Sequence, residues 1–365
     1  MLSLRVFLLL CLGFTSAFAQ NRSSHLINRT SAQSGALFQY WSTSDRGERL
    51  HELVVPLVIH YAPSARVSLS LLNTPTRASY KSSDNTSSLF AFSDTRLASA
   101  FILGEERGVL NFGVSLPSGR TQLDPAQELP AAEKITSHAL ALPTSYFGGG
   151  AEVSAGLALA LQAGNWVLGA SISGVYHDSF TPIAGSAKYQ PGPELGFALG
   201  FDRVFEESHR IFGDVSYTWY GKDKSEGQKI FQSEGKLAFS LASVLHYSSL
   251  QILWLLQNNF KRTSPFALST SYAISYGNEL ELSTEWARKN AAGNAWLALA
   301  ELRLHAANNE GRGQATIFTM GPGWRGQISA PVQLQASSQL ALGKLNDTKL
   351  WGVEINVGVV YLISR

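Results

Sequence analysis

Along much of this chain apolar residues recur at every second position, and the stretch from Trp166 to Tyr176 shows the pattern most clearly. Trp166, Leu168, Ala170, Ile172, Gly174 and Tyr176 form one face, apolar with an aromatic at each end, while Val167, Gly169, Ser171, Ser173 and Val175 form a small, partly polar one. A period of two over this length is a strand with a different solvent on each side. At about 3.3 Å per residue and a tilt near 40°, the distance between the two aromatics is about 25 Å of height. That is the apolar band of an outer-membrane β-barrel between its aromatic girdles. Near the C-terminus, Trp351, Val353, Ile355, Val357, Val359 and Tyr361 repeat the arrangement, with Glu354, Asn356 and Gly358 on the other face. The pattern predicts an all-β fold, a transmembrane antiparallel up-and-down β-barrel.

Candidate strands follow at 35–43, 50–62, 65–73, 89–103, 107–116, 149–163, 164–178, 190–204, 209–220, 230–247 and 249–260. In 209–220, Val215, Tyr217 and Trp219 belong to the outer set and Phe212, Asp214, Ser216 and Thr218 to the inner one. The connections alternate in length: Ala62-Pro63-Ser64, Gly104 to Arg107, Gly164-Asn165, Phe205 to Ser208 and Ser248-Ser249 are short, while 74–88, 117–148, 179–189 and 221–229 are longer and more polar. Short periplasmic turns alternating with longer extracellular loops are expected when the chain starts in the periplasm. Further strands are read near 266–276, 279–288, 294–306, 314–324, 327–342 and 350–364, which brings the total to an odd 17. A bacterial single-chain barrel needs an even number. About 14 strands are therefore expected, with 12 and 16 open and the weakest assignments between Phe266 and Leu342.

The first residues divide the chain. Arg5, the apolar run Val6 to Phe14 and Ala17-Phe18-Ala19 read as a signal peptide over 1–19. Residues 20–34 are polar and unpatterned, a periplasmic tail or a plug, and 35–365 form the barrel. The single cysteine, Cys11, lies in the signal, which excludes a disulfide scaffold and a cysteine-ligated metal from the rest. No segment approaches 18 consecutive apolar residues, so no transmembrane helix is expected. Charged residues make up only 15%, lean for a soluble domain, and neither the net charge of +2 nor any basic run points to nucleic acid.

Several stretches carry a family likeness. DTRLASAF (94–101), LNFGVSLPSGRTQL (110–123), FGGGAEVSAGLALAL (147–161) and GNWVLGASISGVYHDSFTPI (164–183) together resemble outer-membrane proteins of the meta-pathway phenol-degradation family, related to the FadL-type transporters of hydrophobic compounds. LVVPLVIHYAPSARVSLSL (53–71) is similar to that group's first hairpin and SPFALSTSYAISYGNELEL (264–282) to a later one. The turn Leu116-Pro117-Ser118-Gly119 is the most specific element. The resemblance covers most of the chain as a pattern of turns and girdles. It implies a monomeric barrel that takes up small hydrophobic or aromatic compounds across the bacterial outer membrane, with no chemistry and no cofactor. Its partners would be outer-membrane lipid, the substrate and the barrel assembly machinery. The chain departs from the usual barrel ending, since its last residue is Arg365 and the nearest aromatic is Tyr361.

Two groups of residues are candidates for function. Residues 124–142 mix Ala, Leu, Glu and Lys at roughly helical spacing, which predicts a short amphipathic helix over the mouth. Leu123, Leu129, Ile135, Leu140, Leu142 and Phe147 are the apolar contacts such a lid would offer a ligand; a surface loop packing its own apolar residues is the alternative. Alternation also places Asp94, Glu194, Asp202, Asp214, Glu234, Glu279, Glu281, Glu285, Glu301 and Glu354 in the lumen, against Arg96, Lys236 and Arg303. An acidic interior would disfavour small anions and receive the basic segment with Arg22 and Arg29; a solvated, salt-bridged wall is the alternative. Glu301 and His305 lie about 13 Å apart on one strand, too far to chelate a metal as a pair. A general diffusion porin and a non-conducting structural barrel remain as other readings, and no arrangement points to an enzyme.

Overall fold

The computed structural model describes residues 30–45, 47–83, 85–105, 107–120, 122–135, 140, 148–205, 209–233, 235–261, 277–307 and 313–363. The signal peptide reading, residues 20–29 with Arg22 and Arg29, and the strand expected at 266–276 lie outside the described residues.

The chain opens with β1 (Thr30–Thr43), followed by β2 (Arg49–Val54), β3 (Leu57–Ser64), β4 (Val67–Asn73), β5 (Thr76–Lys81), β6 (Thr86–Ala91), β7 (Thr95–Leu103) and β8 (Gly108–Leu116). One short helix, α1 (Leu129–Ile135), precedes β9 (Glu152–Ala163) and β10 (Trp166–His177). Then come β11 (Tyr189–Gln190), β12 (Glu194–Phe205), β13 (His209–Tyr220), β14 (Lys222–Ser225), β15 (Gln228–Gln232), β16 (Lys236–Tyr247) and β17 (Leu250–Lys261). The last five are β18 (Glu279–Lys289), β19 (Ala295–His305), β20 (Ala315–Ser329), β21 (Val332–Leu345) and β22 (Thr348–Ile363). β11, β14 and β15 form a small separate sheet; all the others belong to one antiparallel sheet closed by β1 against β22, from Thr30↔Ile363 to Thr43↔Leu350.

The wall is a closed barrel of 16 strands, not the expected 14 or so. The segments β2/β3, β4/β5 and β6/β7 are each one strand broken by a bend at Val55-Pro56, Thr74-Pro75 and Phe92 to Asp94. Proline has no N–H for the ladder and interrupts pairing there. The three bends lie side by side and are cross-tied, Val55 N–H donating to the Pro75 carbonyl at 2.9 Å and Thr74 N–H to the Ser93 hydroxyl at 2.9 Å. β1 also starts at Thr30, so the end of the polar 20–34 segment belongs to the wall.

Alternation sets which face each residue takes. Trp166, Leu168, Ile172 and Tyr176 point out, as do Val215, Tyr217 and Trp219 and, on β22, Trp351, Ile355, Val357, Val359 and Tyr361. The short turns gather at one end. There Gly164, with φ +60°, opens the two-residue Gly164-Asn165 turn between Ala163 and Trp166, a conformation that favours glycine in tight hairpins. The longer connections gather at the other end, which is extracellular by the rule for this class. Two of the predicted loops are partly strand. Residues 74–88 hold β5 and the start of β6, and 221–229 hold β14 and the start of β15.

Candidate functional site

The longest connection, between β8 and β9, is drawn into the barrel mouth by one buried carboxylate. Asp94, at the β6/β7 bend and only 2% exposed, accepts the Gly119 N–H through Oδ1 at 2.8 Å and the Gly149 N–H through Oδ2 at 2.8 Å. It thus clasps both ends of the segment. Next along the chain, Asp124 Oδ1 accepts the N–H groups of Ala126 and Gln127, each at 2.8 Å, while Glu128 Oε2 accepts the Asp124 N–H at 2.9 Å. This reciprocal arrangement starts a helical turn. The Ser87 hydroxyl of β6 donates to the Gln127 carbonyl at 2.6 Å and accepts the Ala131 N–H at 3.1 Å, which docks α1 on the inner wall.

What α1 meets there is apolar. Ala131, Ala132, Ile135 and Leu140 are buried together with Trp41, Leu50, Ala78, Tyr80, Leu89 and Ala91 of the first strands and Ile317, Ala341 and Leu350 of the last ones. Leu123 packs against the same cluster. Gly352 makes room for Trp41, whose ring lies 2.6 Å from where a Cβ would stand. One ion pair crosses the packing: Lys134 Nζ lies 3.5 Å from Glu48, which also accepts the Tyr80 hydroxyl at 2.8 Å.

β6 pairs only with β5. Its other edge is met by the segment instead, with Ser88 N–H donating to the Gln127 carbonyl at 3.1 Å and Arg120 N–H to the Phe92 carbonyl at 3.2 Å. A loop therefore stands in for a strand along this part of the wall.

A polar row crosses the inner wall on neighbouring strands. Gln39 Nε2 donates to Glu354 at 2.7 Å, and Gln39 also stands opposite Glu52; the two are 2% and 1% exposed. Further round, Arg303 pairs with Glu301 and is 4% exposed. The arc from β9 to β16 is different. Ser171 stands between Ala158 and Ala198, Ser173 between Gly156 and Gly196, and Ser216 between Ala198 and Ala238. At its top His177 lies 3.5 Å from Glu152 and 3.4 Å from Glu194, tying three strands together. In the loop above, burial and the hydrogen bond to Asp223 push the Tyr189 hydroxyl pKa well above its ordinary range.

Of the apolar residues singled out in the sequence, Ile135, Leu140 and Leu123 meet in the mouth cluster, Leu129 opens α1 half-buried, and Leu142 and Phe147 lie outside the described residues. Within 124–142, where a short helix is expected, the structure has α1 at Leu129–Ile135, and 136–139 and 141–142 lie outside the described residues. Asp94 is a clasp for the loop. Asp214 accepts the Ser240 hydroxyl, Arg96 and Lys236 are half-buried on the inner face, and Glu234 is outside the described residues. The sequence reading missed two inward cations, Arg210 on Asp202 and Arg325 on Glu285 at 3.2 Å. Carrying the alternation back from Asp214 reaches Arg210; Arg325 was lost because the strand was ended at 324. Among the described residues no group of three His, Cys, Asp or Glu is placed to hold a metal.

No known protein-family profile matches the chain, and a sequence comparison with curated proteins finds no match. Solved structures do resemble it. A bacterial polysaccharide outer-membrane secretin aligns with a TM-score of 0.51 at 8% identity, over 93% of this chain and 100% of that one. Pseudomonas aeruginosa OccD3 (OpdP) aligns at 0.46 and 9% identity, over 92% and 91%. An outer-membrane channel from Pseudomonas putida F1 aligns at 0.37 and 12% identity, over 92% and 96%. The first likeness is one of fold. With the closed antiparallel wall and its outward apolar band, it defines the class: a bacterial outer-membrane β-barrel. Within that class the chain is a sixteen-stranded member whose β8–β9 connection packs on one arc of the inner wall at the mouth.

Proposed function

We propose that this barrel is an outer-membrane channel for the uptake of small hydrophobic or aromatic compounds, with the 117–148 segment as its gate. One observation carries the reading. Sixteen strands enclose a lumen wider than wall side chains alone fill, and a clasped segment whose buried side chains are apolar packs into the mouth on one arc. A compound that enters along this arc must displace Ile135 and Leu140 from the wall or slip between them. An aromatic solute offsets the exposed apolar surface as it does so, and a hydrated ion does not. The likeness of 94–183 to the phenol-degradation group supports the same cargo.

A general porin is the second reading, favoured by the small and polar lining of β9 to β16. Planar-bilayer conductance and uptake into proteoliposomes separate the two. The first predicts a nearly silent wild type, uptake of aromatic solutes ahead of sugars of equal size, and a steady conductance once residues 120–147 are replaced by a short Gly/Ser linker. A wild type that conducts steadily and passes sugars and aromatics alike would retire it in favour of the porin. A shortened form that stays silent would retire both.

A further inference from the structure

The outer face of the wall above the aromatic girdle carries a group of cations with no counter-charge among the described residues. Lys344 of β21 stands directly opposite Lys349 of β22, and Arg49 of β2 directly opposite Lys81 of β5. All four are exposed. They point outward: Lys349 is in phase with Trp351 and next to buried Leu350, Lys344 is in phase with Leu342, and Arg49 and Lys81 flank buried Leu50 and Tyr80. None has an ion-pair partner among the described residues. The acid beside Arg49 in sequence, Glu48, bonds Tyr80 and Lys134, while Asp45 and Asp347 sit in the hairpin tips. Arg77 and His51 continue the same face on β5 and β2.

Like charges directly opposite on neighbouring strands, with Cβ atoms about 5 Å apart, destabilise a sheet. Two such pairs on one outward face, with no acid between them among the described residues, are unfavourable until an anion neutralises them. Their height identifies the anion's carrier. Tyr40 lies 5.0 Å from the Trp351 ring and 4.9 Å from His51. Tyrosine and tryptophan rings of this kind sit at the lipid headgroup level, and basic residues just beyond it attract anionic headgroups. We propose that Lys344, Lys349, Arg49 and Lys81 form a docking surface for the phosphate groups of the phosphorylated glycolipid of the outer leaflet, the two pairs each taking a phosphate.

The full-length barrel in detergent micelles tests this by native mass spectrometry against a diphosphorylated lipid A. The wild type is expected to bind at least tenfold more tightly than the variant with Lys344→Ser, Lys349→Ser, Arg49→Ser and Lys81→Ser. Arg107→Ser in a periplasmic turn is expected to bind like wild type. Equal binding by the quadruple variant, or equal loss in Arg107→Ser, overturns the proposal. So does undiminished binding of the dephosphorylated glycolipid, and equally tight binding of phosphatidylglycerol overturns the assignment to glycolipid. A melting curve guards against misfolding. Without lipid the quadruple variant should melt at or above the wild-type temperature, because repulsion is relieved, and added glycolipid should raise the wild type more. A variant that melts lower in both conditions overturns the proposal.

Discussion

Two arcs of this wall have the same backbone and opposite interiors. On one, β20 to β22 with β1, β2, β5 and β6, the inner face carries Ile317, Ala341, Leu350, Trp41, Leu50, Tyr80 and Leu89, all packed with the clasped segment. On the other, β9 to β16, the inner residues are Ser, Gly and Ala over much of the height. The first arc stops the mouth and the second leaves room beside it. On the proposed reading, closing and conducting fall to different strands, so each can be perturbed with the other as its control.

The largest effect is expected from Asp94→Ala. It removes two charge-assisted hydrogen bonds of about 1.5–3 kcal/mol each, and steady conductance in a planar bilayer should rise at least tenfold with the barrel still folded. An unchanged trace would mean the packing alone holds the segment. Gly352→Val comes next. Its side chain meets the Trp41 ring, and overpacking of this kind costs about 1–3 kcal/mol. The midpoint of heat-induced unfolding on a gel should fall, whereas for Gly174→Ala, whose added Cβ meets nothing nearer than 3.8 Å, it should stay put. Ser171→Trp sharpens the contrast from the other arc: in the form lacking 120–147 it should cut conductance by roughly half without moving the unfolding midpoint, since a ring fills part of a passage that sixteen strands leave open. The smallest change is expected from Lys134→Met. The ion pair it removes is part-exposed, and such pairs contribute about 0–1 kcal/mol, so a shift in midpoint larger than that from Gly352→Val would reverse the assumed ranking of apolar and ionic contacts.

The membrane-spanning part of the fold was legible because two solvents write a period of two into each strand, as at 166–176 and 350–364. What lay above the membrane was not. In β5 and β6 the outward residues Arg77, Ser79, Lys81, Thr86 and Ser88 face water or headgroups, so a polar, serine-rich stretch that pairs as a hairpin reads as a loop. Sixteen of the seventeen readings map onto the 16 strands, and the remaining one, 266–276, lies outside the described residues. For the site, the apolar residues of 117–147 were visible but their destination was not. Nothing local says that Ile135 is buried in one cluster with Ile317 and Leu350 rather than facing solvent, because that cluster depends on a closure between the two ends of the chain. Likewise Asp94 reads as lumen lining, and only the bend at 92–94 turns it toward Gly119 and Gly149.

The mouth cluster also bears on the order in which the molecule comes together. It draws on strands from both ends of the chain, Trp41 and Leu50 near one and Ile317, Ala341 and Leu350 near the other. Contacts between residues so distant in sequence form late, after the intervening chain has been gathered. The seat for Ile135 and Leu140 is therefore incomplete until β1 zips onto β22. The hydrogen bonds from Ser87 and the clasp at Asp94 come from β6 and the bend after it, so closure is expected to complete a seat whose first half the early strands already supply.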